Sequence, residues 1–215
     1  MANFASFRCQ AYRKRSKSAN KPKQNHRNKT MKKSFYSSLR TISAALLCAL
    51  LPNTASSTPI RIATYNIQRG EGMDGRLNYQ RTAKTLAAIN PEFVAVQEVD
   101  SMTRRTNSTY SLEAIASEMG YNAVYAPTIN FDGGKYGIGI LSRDKPLRVS
   151  QYSLPGRDEA RTMVVAEFTD YIFACTHLSL ESDERIASIP IINKVASQYK
   201  KPFIIAGDWN ATPED

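Results

Sequence analysis

Between residues 123 and 178 the sequence runs through five strand-like segments with no helical pattern among them, at about 123–129, 136–142, 147–153, 162–169 and 171–178. Strands this close together can only pair antiparallel, because a parallel neighbour needs a crossover of about a dozen residues or more. Asp132-Gly133-Gly134, between the first two, is a tight hairpin signal. The flanks read differently. Ile60–Ile67 is a strand, Leu77 to Ile89 a helix stopped by Asn90-Pro91, and Phe93–Val99 a near-continuous apolar strand. Leu112, Ile115, Ala116 and Met119 repeat at helical spacing and Gly120 ends that helix. After the meander a helix runs from Ser182, read as its cap, to about Tyr199, with Pro190 expected to bend or split it. Phe203–Ala206 is the last strand. A meander between two strand–helix flanks gives mixed sheets, so the expected architecture is a two-sheet α/β or α+β sandwich with helices outside.

Charge separates this part from what precedes it. The 215 residues carry a formal charge of +10, but residues 1–57 hold 12 Lys or Arg and no Asp or Glu, whereas residues 58–215 are near neutral at −2. The basic balance belongs to the leader, and no basic groove for duplex nucleic acid is visible in the folded part. Met31 opens a segment with Lys32, Lys33 and Arg40, an apolar run Ile42–Leu51, then Pro52 and small residues. That order is a secretory signal, expected over 31–57 with cleavage near Ala55 to Ser57, and the apolar run is too short for a span of about 20 residues. Cys48 raises lipid attachment as an alternative, although Leu47 before it is bulky. Residues 1–30 form a basic leader, read as an extended signal n-region or as sequence upstream of a start at Met31, with a nucleic-acid arm as the alternative. The folded part, 58–215, is expected to be exported to a periplasmic or extracellular space, with no stable membrane span. Its one cysteine, Cys175, sits in the apolar run Tyr171–Cys175 and reads as a buried small hydrophobe.

Two patterns carry chemistry. Gly70-Glu71-Gly72-Met73-Asp74-Gly75 follows a strand, precedes a helix, and has the form of a dinucleotide-binding loop. Glu71 and Asp74 put negative charge where a pyrophosphate would sit, and the meander breaks the βαβαβ continuation, so a dinucleotide-binding oxidoreductase stands as a remote alternative. The second pattern is a set of polar residues at strand ends: Asn66, Glu98, His177, and Asp208 with Asn210. Open α/β sheets place their sites at the carboxyl ends of strands. Carboxylate and amide oxygens suit a hard cation such as Mg²⁺ or Mn²⁺, whereas imidazole suits Mg²⁺ poorly, so His177 is cast as a donor to a substrate oxygen. Each residue also has an ordinary role open to it: Asn66 capping a turn, Glu98 paired with Arg104 or Arg105, His177 in a core, Asp208 and Asn210 in a turn.

Thr64-Tyr65-Asn66-Ile67, Gln97-Glu98-Val99-Asp100, Tyr136 through Arg143 (YGIGILSR), Thr176-His177-Leu178 and Gly207-Asp208-Trp209-Asn210-Ala211 occur in that order. Together they resemble the endonuclease/exonuclease/phosphatase superfamily with its deoxyribonuclease-I-like fold, over nearly all of 60–211. The resemblance implies a four-layer sandwich, two mixed β-sheets face to face with helices on each side, and divalent-metal-dependent hydrolysis of phosphate esters. It casts Glu98 as the principal metal-binding glutamate and Asn66 as the asparagine beside the metal. It casts His177 as the histidine on the scissile phosphate, and Asp208 and Asn210 as the pair orienting water and phosphate. Arg161 matches a phosphate-contacting arginine, with an ion pair to Asp158 or Glu159 as its alternative role. The substrates implied are small phosphodiesters, phospholipid head groups, nucleotides or nucleic acid.

The family pattern continues past a strand like Phe203–Ala206 to a Ser-Asp-His motif whose Asp helps bind metal and whose His is the general base. The sequence ends at Asp215 and has two histidines, His26 and His177. The expectation is therefore a C-terminally incomplete chain from a longer gene product, poorly active and aggregation-prone alone, with a non-catalytic or decayed member of the fold as the alternative.

Overall fold

The computed structural model describes residues 59–212; the leader and the signal-like segment at 31–57 lie outside the described residues. Among the described residues, eight strands and three α-helices follow one another in the expected order. They are β1 (Ile62–Asn66), α1 (Tyr79–Ile89), β2 (Phe93–Ser101), α2 (Ser111–Met119), β3 (Asn122–Phe131), β4 (Gly134–Ser142), β5 (Arg148–Leu154), β6 (Arg161–Glu167), β7 (Ile172–His177), α3 (Ser182–Ala196) and β8 (Phe203–Asp208). One sheet has the order β1-β2-β4-β3 and the other β5-β6-β7-β8. Each is mixed, with one parallel pair, β1/β2 or β7/β8, and the rest antiparallel. A dinucleotide-binding sheet is mostly parallel, whereas here each four-stranded sheet has a single parallel pair, which removes that alternative.

Alternation along the strands builds the layers. In β2, Phe93 and Ala95 face the second sheet, while Val94 and Val96 face Leu86, Leu112 and Ile115 of the helices. In β7, Phe173 and Cys175 face inward, while Ile172 and Ala174 face Ile192 and Val195 of α3. Strands covered on both faces read as continuous apolar runs, which is why these segments show no polar alternation. The result is four layers: α1 and α2, two sheets, α3. Phe93 stacks on Phe173 with ring centroids 5.0 Å apart, joining the sheets at the end of β2 remote from Glu98. Burying a side chain such as Phe173, which is fully enclosed, stabilises by about 1.5–3 kcal/mol.

Local chemistry sets the element ends. Asn78 caps α1 by accepting from the Arg81 N–H at 2.9 Å, and Asn90 and Gly120 end α1 and α2 in left-handed conformations. Asp132 and Gly133 close the β3–β4 hairpin with positive φ at both positions (46° and 83°), as a two-residue turn of this hand requires. The start of α3 differs from expectation. Glu181 occupies the cap position without a side-chain cap bond, and Ser182 is the first helical residue. Ser179 takes over, accepting from the Glu181 N–H and donating to buried Glu184. Pro190 does not split α3, which runs unbroken from Ser182 to Ala196.

Candidate functional site

The strand ends converge. Asn66 closes β1, and Asp208 closes β8 in the other sheet. The Asn66 amide donates to Glu98 at 2.8 Å and to Asp208 at 3.1 Å, so one amide group holds two carboxylates across the seam between the sheets. Its oxygen accepts from the Gln68 N–H at 3.1 Å. The donor side of Asn66 thus faces the two carboxylates and positions them.

Glu98 reaches this point through a fault in β2. The register against β4 shifts between Val96 and Val99, and Glu98 is the inserted residue with φ +57°. Val96 and Val99 both pack against the helices, which regular alternation would forbid. The left-handed backbone costs a non-glycine residue about 1–2 kcal/mol. Bulges of this kind re-aim a side chain next to a site. Neither Arg104 nor Arg105 pairs with Glu98; they pair with Asp132 and Asp100.

His177 ends β7 in register with Asp208, its Nε2 3.8 Å from the Asp208 carboxylate. Burial, aided by Arg161, holds its pKa below the ordinary 6.5, against the opposing pull of Asp208, Glu98 and Glu159. A neutral imidazole carries one N–H, so it can donate to a phosphoryl oxygen. Burial pushes Asp208 up, but donation from Asn66 and the Asn210 N–H, with His177 and Arg161 nearby, outweighs it and its pKa is lowered. The Asn210 backbone N–H closes a turn on Asp208 at 3.1 Å, and one side-chain amide hydrogen is spent on the Leu178 carbonyl at 2.8 Å.

Arg161 opens β6, buried and 3.0 Å from Glu159, so the ion pair weighed as its alternative role is present. The pair does not exhaust the guanidinium. Its Nε is buried without a hydrogen-bond partner. A buried donor left unmade costs about 1–3 kcal/mol, which an arriving anion would recover. Tyr136, at the start of β4, completes the rim. Burial, then the charges of Glu98 and Glu159, push its phenol above the ordinary value, so it stays a donor.

Tyr136 was quoted in the sequence pattern without a role, and Glu159 only as a partner for Arg161. The signal that finds Tyr136 is antiparallel pairing. β4 and β6 run against β2 and β7, so Tyr136, near the start of β4, and Arg161, which opens β6, lie at the same edge as the last residues of β2 and β7. Polar residues opening a meander strand are as informative as those closing a parallel one.

The family model described as endonuclease/exonuclease/phosphatase family matches residues 63–215. The chain belongs to that family. Among solved structures it is similar to an endonuclease/exonuclease/phosphatase from Beutenbergia cavernae, with 17% identity, a TM-score of 0.56, and coverage of 73% of this chain and 50% of that one. A mannosyl-6-phosphatase from Bacteroides thetaiotaomicron aligns at 16% identity and a TM-score of 0.58, covering 73% and 67%. TDP2 from Caenorhabditis elegans aligns at 18% and 0.56, covering 86% and 59%. These likenesses show the fold, and the chain spans half the length of the first. No curated protein matches the sequence.

Among the described residues no three His, Cys, Asp or Glu side chains gather as a metal-holding group. Glu98 and Asp208, drawn together on one amide, offer hard oxygen donors. Mg²⁺ commonly takes one or two carboxylates and fills the rest of its shell with water and substrate phosphate. The donor set fits such a cation.

Proposed function

We propose that this domain is part of a divalent-metal-dependent hydrolase of phosphate esters, a phosphodiesterase in the whole protein, with Mg²⁺ or Mn²⁺ as the cation. The observation that carries the proposal is the pair of carboxylates held across the sheet seam by Asn66, flanked by His177, whose pKa burial lowers, and by Arg161 with its unpartnered Nε.

Glu98, with Asp208 beside it, would hold the cation, which when bound supplies charge neutralisation and a water of lowered pKa. The chain's own residues supply binding and orientation. Arg161 binds a phosphoryl oxygen through the donor it now lacks a partner for. His177 donates its N–H to another as charge develops. Asp208 orients the attacking water, and Asn210 adds its second amide hydrogen. Substrate phosphate displaces Glu159 from Arg161 or shares the guanidinium with it. Export through the segment at 31–57 belongs to the same proposal, and N-terminal sequencing of the native protein tests it.

The test is hydrolysis of bis(4-nitrophenyl) phosphate by the whole protein with Mg²⁺ or Mn²⁺. Turnover should vanish with chelator, and Glu98→Gln or His177→Ala should each lower kcat by about 10²–10³, the usual cost of one oriented charge-stabilising group. Metal-independent turnover, or unchanged rates in both variants, would overturn the assignment.

A further inference from the structure

Arg161 meets a carboxylate before any substrate arrives. The turn between β5 and β6, residues 155–160, brings Glu159 back onto it, with 3.0 Å between the Glu159 carboxylate and the Arg161 Nη1. The nitrogen without a partner is a different one, the buried Nε. A guanidinium presents five N–H groups in a planar fork, so it can serve two acceptors at once. A phosphoryl oxygen on Nε can therefore share Arg161 with Glu159 without evicting it.

The turn holds Glu159 in place. Gly156 has no room for a side chain, since a Cβ there would lie 2.3 Å from the Glu159 carbonyl oxygen and 2.8 Å from the Arg161 Cγ. Beside it, the Arg157 N–H donates to the Glu184 carboxylate at 2.9 Å, and the Arg157 guanidinium reaches Asp183 at 2.8 and 3.2 Å. The Arg157–Asp183 pair is exposed and contributes little by itself. Glu184 is buried in the first turn of α3 and also accepts from Ser179, so the bond into Glu184 is the one that ties the turn to the helix.

The charge of Glu159 reaches across the site. It pulls the His177 pKa upward, against burial, and adds to the rise of the Tyr136 phenol. His177 belongs to one sheet and Tyr136 to the other, so Glu159 faces the seam where Glu98 and Asp208 meet. Three carboxylates then stand around one guanidinium. A divalent cation offsets Glu98 and Asp208, and Glu159 offsets Arg161. Without Glu159 the loaded site would carry a net positive charge and would reward every added negative charge on a ligand. With it the site is close to neutral, and a second negative charge on the ligand gains nothing from the net field.

We propose that Glu159 sets the charge preference of the site. Standing beside the phosphate seat on Arg161, it removes the advantage that a doubly charged phosphomonoester would otherwise hold and so favours a singly charged phosphodiester. Glu159 is a specificity residue that acts through its charge and through Arg161, and it takes no proton in the reaction. The inference rests on the phosphoesterase reading for the site itself and says which esters that site prefers.

The test is calorimetric titration of the full chain, with Mg²⁺ at pH 8, by dimethyl phosphate and by methyl phosphate, the first with one negative charge and the second with about two. Coulomb energy is proportional to ligand charge. Glu159→Gln, close in shape, should therefore tighten methyl phosphate about tenfold and dimethyl phosphate only about threefold. Glu159→Asp keeps the charge and should keep the wild-type ratio of the two affinities. A purely structural role for Glu159 would move both ligands alike. Equal shifts for the two ligands, no shift, loss of both, or the same ratio in Glu159→Asp as in Glu159→Gln would overturn the charge selection while wild-type phosphate binding stands. Binding of neither ligand by wild type or by Glu159→Gln would remove the phosphate site and the selection with it.

Discussion

Glu98 is the residue where function and stability pull apart. It holds a positive φ inside a strand and brings a carboxylate to within hydrogen-bond reach of the amide that also holds Asp208. Strain of this kind persists where the surrounding structure over-determines it. Glu98→Gly should therefore raise the unfolding free energy in urea by about 1 kcal/mol, as the left-handed backbone ceases to cost anything, while Mg²⁺ binding is lost. An equal or lower stability would mean the bulge is not strained. His177 gives a pH signature. Its pKa is lowered in the folded state from 6.5 by burial first and by Arg161 second. The unfolded chain then takes the proton more readily, so this contribution to stability is complete above the unfolded pKa and is lost as pH falls through the folded value. Between pH about 7.5 and about 5.5, spanning the ordinary histidine pKa, wild-type protein should lose more stability than His177→Gln. Parallel losses would show that the imidazole is not held neutral by the fold.

At the scale of elements, most of the architecture was legible. Apolar runs, the Asp132-Gly133 turn and the stops at Asn90 and Gly120 depend on local chemistry, and the structure places them where that chemistry puts them. Ends that depend on tertiary partners were not legible. Ser179 and buried Glu184 replace Ser182 at the head of α3, a substitution set by packing rather than by the sequence signature of a cap. The bulge at Glu98 was hidden for another reason. β2 is buried on both faces, so an extra residue leaves no break in a polar alternation that does not exist. Arg161 was found only through the family pattern, and Tyr136 had no role assigned, because a strand-end rule looks at the wrong end of an antiparallel strand. Gly207 shows how tightly the last strand is set. A Cβ there would lie 2.2 Å from the Thr176 carbonyl, one residue before Asp208. Gly207→Ala should cost about 1–3 kcal/mol by overpacking and weaken phosphate binding together with it, read by urea unfolding and by calorimetry. A variant as stable as wild type would show that β7 and β8 can separate without cost.

At the scale of the molecule, the site exists because two sheets meet. Each contributes the edge where its parallel pair ends and its antiparallel strands begin, and the Asn66–Asp208 hydrogen bond joins those edges. Neither sheet alone assembles the pair of carboxylates, which is why single motifs in the sequence carried little weight and their order carried much. The folded part is near neutral, so the proposed phosphate site rests on Arg161, His177 and a cation rather than on a general positive field. Phosphate affinity should accordingly depend on Mg²⁺ and on those residues far more than on ionic strength. The most direct measurement is calorimetric titration of inorganic phosphate into the full chain with and without Mg²⁺, for wild type, Glu98→Gln and Arg161→Met. Binding that requires Mg²⁺, disappears in Glu98→Gln and weakens about tenfold or more in Arg161→Met, the loss of one charged hydrogen bond, is the predicted result. Phosphate binding indifferent to Mg²⁺ and unchanged in both variants would contradict a metal-assisted phosphate site at the sheet seam.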